Sequence, residues 1–160
     1  SRQVDYVNVK NNNGDVPLHL AVQFQSFELV KFLASLDSRV NFTNIFKDTP
    51  IHEAAKIGNL EMVKFFHLRD KELMYLNKLR NSPLHYSAQV SFPIVKFIVD
   101  NVEDDMEAIR IENNMNLTAI DIAIEAHTHR WSELPCLQGC RASALQAARA
   151  AKKAKKEKVK

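Results

Sequence analysis

Glycine is scarce in this 160-residue chain, with three residues, at positions 14, 58 and 139. They are too few and too scattered for a loop that cradles phosphate in backbone amides. Cysteine is scarcer still. Cys136 and Cys140 alone exclude a disulfide framework and point to a reducing, intracellular setting. No run approaches the ~18 apolar residues of a membrane span, and no signal-peptide pattern opens the chain. No Ser-His-Asp or Cys-His arrangement stands at a spacing that would build a nucleophilic site. These absences argue against an enzyme, and the sequence implies no cofactor.

Apolar residues make up 46% of the chain, enough to build a core and to exclude global disorder. The net charge of +3 is unevenly placed. Residues 141–160 carry +7 and residues 1–140 carry −4, so a mildly acidic body precedes a strongly basic tail.

The body is repetitive. Val16-Pro17-Leu18-His19-Leu20-Ala21 recurs as Thr49-Pro50-Ile51-His52-Glu53-Ala54 and as Ser82-Pro83-Leu84-His85-Tyr86-Ser87, at a spacing of 33. A weaker fourth copy runs from Thr118 through Asp121 to Ala123. Each copy reads as a helix. Thr49 offers a capping hydroxyl, and Pro50 suits the first helical position, where no amide hydrogen is needed. Ile51, Ala54 and Ala55 fall on one face, and Gly58 permits the left-handed turn that ends the helix. Leu60, Val63 and Phe66 then supply a second apolar helix.

This pattern resembles the ankyrin repeat, whose period is about 33 residues and whose signature is Thr-Pro-Leu-His-x-Ala. The resemblance covers roughly residues 4–130. It implies an all-α solenoid of stacked helix-turn-helix repeats with short β-hairpin fingers, followed by a basic C-terminal helix. The expected array spans residues 1–134: a part repeat over 1–10, repeats over about 11–43, 44–76 and 77–112, and a degenerate repeat over 113–134. Val7-Asn8 lies 33 residues before Val40-Asn41, so the chain reads as starting in the tail of an earlier repeat. Helices are expected over about 17–24, 27–35, 50–57, 60–67, 83–90, 93–100 and 118–126. Asp15 stands in for the missing cap at Val16, and Gln25 takes the place of the helix-ending glycine at some strain. Residues 135–160 hold a break at Gln138-Gly139 and the basic Ala/Lys-rich helix.

The resemblance assigns structural work to Pro17, His19, Thr49, Pro50, Gly58, His52, Ser82, Pro83, His85 and Thr118. The signature imidazoles would bond backbone and the capping hydroxyl, and Asp121, in place of a fourth histidine, would leave the last repeat less well tied. It also leaves certain positions free for a partner. At the inner-helix ends these are Phe24, Ile57 and Val90. On the fingers they are Asn12, Asn13 and Asp15, then Ile45, Phe46 and Asp48, then Lys78, Leu79 and Asn81, then Asn114 and Met115. A hydrophobic hot spot centred on Phe46 is expected, with Asp48 and Asn81 as its polar rim.

Two other features invite chemistry. His127, His129, Cys136 and Cys140 are plausible zinc ligands, but their spacing matches no compact zinc site, and no metal is predicted. His67 reads as a surface residue. Lys152, Lys153, Lys155, Lys156 and Lys158 form a basic cluster open to three readings: a solvated helix end, a nuclear-import or nucleic-acid contact, or a contact with an acidic protein or membrane surface. The cluster lacks interleaved aromatics, which disfavours reading of single strands.

The function expected is that of a non-catalytic, monomeric module that docks a segment of another protein on its finger and inner-helix face. The alternatives are the regulatory ankyrin portion of a larger enzyme or channel, and a nucleic-acid-associated regulator acting through the tail.

Overall fold

The computed structural model describes residues 6–37, 39–70, 74–101 and 109–126. Among these residues there are seven helices and no strand. They are α1 (Pro17–Gln23), α2 (Phe27–Leu36), α3 (Pro50–Ile57), α4 (Leu60–Arg69), α5 (Pro83–Val90), α6 (Phe92–Asn101) and α7 (Ala119–Ala126). The three signature prolines all open equivalent helices. Each of these inner helices packs on the next, α1 on α3, α3 on α5 and α5 on α7. Small residues at the contact make that close approach possible: Ala21, Ala54 and Ala88 are each almost wholly buried.

The outer helices α2, α4 and α6 pack on their partners and complete one continuous core. Val30, Ala34, Met62, Val63, Phe66, Ile94, Val95 and Ile98 are all buried within it. No single helix pair has enough apolar surface to stand alone, so stability comes from stacking. Val40 and Ile109 stand at equivalent places and are both buried.

The turns between paired helices follow the local sequence. Gly58 adopts φ +81, and a Cβ there would come within 3.0 Å of Val90 Cγ1 in the next repeat. Gln25 holds the same left-handed conformation at φ 55 without glycine's freedom. The third turn, one residue shorter, passes through Ser91 in an extended conformation. Between repeats, four tight turns form the fingers at 11–15, 44–48, 77–81 and 113–117. Each is closed by the same backbone bond, as in Asn44 N–H to the Asp48 carbonyl at 3.0 Å and Asn77 N–H to the Asn81 carbonyl at 3.1 Å.

The tail lysines, the break at Gln138-Gly139, and His127, His129, Cys136 and Cys140 lie outside the described residues. Residues 102–108 lie outside them too, and α6 ends at Asn101.

Candidate interaction surface

Two side-chain ladders run through the stack and set the position of every finger. The first is made by asparagines. Asn44 Oδ1 accepts the amides of Phe46 at 2.9 Å and Asp48 at 3.0 Å, which holds the finger in its tight turn. Asn11, Asn77 and Asn113 do the same in their own fingers. The amide nitrogens reach back one repeat. Asn44 donates to Asp15 Oδ1 at 2.9 Å, Asn77 to Asp48 Oδ1 at 2.7 Å, and Asn113 to Asn81 Oδ1 at 2.9 Å.

The second ladder runs forward through the signature histidines. His52 Nε2 lies 3.1 Å from the Asn81 carbonyl, which can only accept, so Nε2 carries the proton. Nδ1 is then the acceptor, taking the Thr49 amide at 3.1 Å and the Thr49 hydroxyl at 2.8 Å. The Thr49 hydroxyl thus ties the helix start to the imidazole. His19 joins Val16 N–H to the Asp48 carbonyl, and His85 joins Ser82 to the Leu117 carbonyl. Burial holds all three imidazoles below their usual pKa, His52 at about 4. With both ring nitrogens engaged and the ring neutral, none is placed to act as an acid or base.

In the fourth repeat Asp121 Oδ2 accepts the Thr118 amide at 2.9 Å and the hydroxyl at 2.8 Å. The helix start is therefore tied as before, while a carboxylate has no proton with which to bond onward. His67 departs from its expected surface position. It is half-buried, its ring stands edge-on to Phe97 at 5.6 Å, and its Nδ1 is buried with no hydrogen-bond partner among the described residues.

Three residues expected at the free surface belong to these ladders instead. Asp15 is buried and receives the Asn44 amide, and it does not cap α1. Asp48 is 3% exposed. Its carboxylate takes Lys56 Nζ at 2.7 Å as well as Asn77, because a buried charge persists only with partners. Asn81 is half-buried, with its side-chain oxygen on Asn113 and its carbonyl on His52. Neither Asp48 nor Asn81 forms a polar rim.

Around Asp48 stands a cluster that periodicity alone did not single out. Lys56 Nζ also bonds Glu53 Oε1 at 2.9 Å and lies 4.6 Å from the centre of the Tyr86 ring. Asn77 donates to the Tyr86 hydroxyl at 2.8 Å. Burial works to lower the Lys56 pKa, and the two carboxylates outweigh it, so the net shift is upward. The signal was present in the sequence as Asn at 11, 44, 77 and 113, and as Asp, Asp and Asn at 15, 48 and 81.

Most of the apolar positions are exposed, and Ile57 is the exception. Ile45, Phe46, Leu79 and Met115 are exposed at the fingertips, and Phe24 and Val90 at the inner-helix ends. Ile57 is half-buried and packs against the core. Backbone bonds join neighbouring tips: Ile45 N–H to the Asn13 carbonyl at 3.0 Å, Lys78 N–H to Phe46 at 2.9 Å and Asn114 N–H to Leu79 at 2.9 Å. The tips thus form one continuous row. Lys47, Lys78 and Arg80 are exposed along it. Beside the last tip, an open groove of about 530 Å³ runs between α5 and α7, lined by Tyr86, Gln89, Met115, Ile122 and Glu125 among others.

Among the described residues no cluster of His, Cys, Asp and Glu is placed to hold a metal, and no helix is long and apolar enough to cross a membrane. No curated protein matches the chain. The family model described as ankyrin repeats (3 copies) matches residues 18–108 and 51–132, more than half of the chain. Domains of this kind are typically non-catalytic and generally mediate protein–protein interaction. The stacked helix pairs, the imidazole and asparagine ladders and this match together establish that the chain belongs to the ankyrin-repeat family.

Proposed function

We propose that this chain is a non-catalytic module whose array, over about residues 1–134, binds a segment of another protein along its fingertips and inner-helix ends. The observation that carries the reading is the continuous row of exposed Ile45, Phe46, Leu79 and Met115, held tip to tip by backbone hydrogen bonds. A row braced by two ladders loses little conformational entropy when a partner docks, so apolar burial there converts efficiently into affinity. Burying each large side chain contributes roughly 1.5–3 kcal/mol.

Charge narrows the partner. Lys47, Lys78 and Arg80 flank the apolar tips, and among the described residues none of the three enters a salt bridge. The fitting ligand is an extended segment that alternates apolar side chains with carboxylates. Nucleic acid fits less well, since Phe46 is the only aromatic among the exposed tips and stacking platforms need several.

Panning a random displayed peptide library against the purified chain tests this. Enriched peptides should combine Asp or Glu with large apolar residues and should lose binding to the Phe46→Ala and Leu79→Ala variants. Peptides of no consistent chemistry, or undiminished binding to both variants, would refute the reading.

A further inference from the structure

Lys56 shows how this stack holds a cation. Its Nζ lies 2.7 Å from Asp48 Oδ2, 2.9 Å from Glu53 Oε1 and 4.6 Å from the centre of the Tyr86 ring on α5. Two carboxylates and an aromatic face thus surround one ammonium between α3 and α5.

The next repeat changes each of these residues. Gln89 stands 33 residues after Lys56, Asn81 after Asp48 and Tyr86 after Glu53. At this level the place of the lysine is held by an uncharged side chain. A carboxylate appears instead on the following inner helix, where Glu125 holds the place of Lys56 and Gln89. Glu125 is exposed, and among the described residues it enters no salt bridge. It lines the groove of about 530 Å³ between α5 and α7, facing Tyr86, with Leu117 and Met115 of the last finger and Ile122 of α7 beside it. Ile122 is buried and Leu117 packs against the core. One groove therefore joins an apolar lining, an aromatic ring and an unneutralised carboxylate.

We propose that this groove receives one lysine or arginine side chain of the bound segment. The aliphatic stem covers Leu117, Met115 and Ile122, and the charged head pairs with Glu125 beside the Tyr86 ring. Charge complementarity selects this occupant. A carboxylate in the groove would meet Glu125 as a like charge, and an apolar side chain would strip water from Glu125 without replacing it. The inference rests on the reading that a segment of another protein docks along the fingertips, and it gives that segment a direction. Its carboxylates lie beside Lys47, Lys78 and Arg80, and its cation lies at the end that reaches the last repeat.

Two arms test this. In the first, Nα-acetylarginine amide and Nα-acetyllysine amide are titrated into the full chain while the Met115 methyl resonance is followed. At least one should shift that methyl saturably, Nα-acetylglutamate amide should not, and Glu125→Gln should weaken the response roughly tenfold. Glu125 is exposed, so the variant should melt with the parent and a lost response reports binding. This arm needs no docked segment and stands apart from the fingertip reading. In the second, a random displayed peptide library is panned in parallel on the parent and on Glu125→Lys. Peptides taken by the parent should carry Lys or Arg at one end of their acidic and apolar stretch, and those taken by the variant should carry Asp or Glu there. The proposal is overturned if neither cationic amide moves the methyl, or if both proteins select the same residue at that position. Peptides that keep the acidic and apolar stretch and their dependence on Phe46, but show no cation, would remove the groove assignment and leave the fingertip reading standing. It is also overturned if the amides act only once Lys152, Lys153, Lys155 and Lys156 are replaced by glutamine, which puts the chain's own tail in the groove. A Met115 methyl that moves with protein concentration alone would overturn it as well, by putting a second copy there.

Discussion

His52 Nε2 lies 3.1 Å from the carbonyl oxygen of Asn81, a residue 29 positions away and one repeat further on. The bond requires a neutral imidazole, and burial keeps it so by lowering its pKa from 6.5 to about 4. In the unfolded chain the same group titrates near its ordinary value. Between pH about 6.5 and about 4 the unfolded state therefore binds a proton that the folded state refuses. Stability is fully present above this window and falls as the pH drops through it, by up to about 3 kcal/mol from His52 alone. His19 and His85 shift in the same direction and steepen the loss. Asp37, held below the usual carboxylate range by Arg39, loses its contribution only at more acid pH. Denaturant titrations at pH 7.5, 6, 5 and 4.5 should show the decline, and His52→Gln should flatten it. An unchanged midpoint down to pH 4.5 would contradict the buried neutral imidazole.

The Asp48 carboxylate holds two repeats together, and its loss should be felt in stability rather than in binding. Asp48→Ala removes the acceptor for both Lys56 and Asn77, leaving Lys56 on Glu53 and Asn77 on Tyr86. The Lys56 side chain is 31% exposed, which moderates the penalty of an unpaired charge. A cost of about 2 kcal/mol follows. Asp48→Asn should cost less, because it keeps an oxygen for Asn77. Equilibrium unfolding in urea measures both, and a neutral Asp48→Ala would return this residue to the free surface.

Phe46 should behave in the opposite way. Phe46 is 56% exposed at a fingertip, so Phe46→Ala should change stability by no more than about 0.5 kcal/mol. Affinity for a selected acidic-apolar peptide should fall roughly tenfold or more. Reversing charge with Lys47→Glu and Arg80→Glu should weaken the same peptide further, most at low salt. Titration calorimetry beside a thermal melt separates these effects. A large stability loss in Phe46→Ala would make it a core residue.

The contrast between Asp48 and Phe46 shows what was legible in the sequence. Pro17, Pro50 and Pro83, with their apolar followers, mark the inner helices because each helix start depends on neighbours within four residues. Phe46 and Leu79 were legible as exposed because nothing in the repeat needs them. Asp48 and Asn81 were misplaced for the reason that Phe46 was not. Their burial comes from Asn77 and Asn113 in the following finger, and a polar residue in a turn resembles a surface residue until the repeats are stacked. His67 was misplaced in the same way, its ring being covered by Phe97 from the next outer helix. Contacts within a repeat could be read from local spacing. Contacts between repeats lay in the recurrence of Asn at 44, 77 and 113, and they became bonds only once the stacking direction was known.

The turns after α1 and α3 offer a matched pair of backbone tests. Gln25 and Gly58 occupy equivalent places with φ 55 and +81. A residue with a Cβ in the left-handed region costs roughly 1–2 kcal/mol over the right-handed one. Gln25 bears that cost with its side chain exposed. Gln25→Gly should therefore stabilise the chain by roughly 0.5–1 kcal/mol, the relief of strain exceeding the added freedom of the unfolded chain. Gly58→Ala reverses the argument and adds a steric term, since its Cβ would stand 3.0 Å from Val90 Cγ1 and the next repeat would have to give way. It should destabilise by more than Gln25→Gly stabilises. Thermal melts of the two single variants and the double variant suffice. The turns lie in different repeats, so their effects should add to within about 0.5 kcal/mol. A destabilising Gln25→Gly would mean that the glutamine side chain contributes more to that turn than its exposure allows.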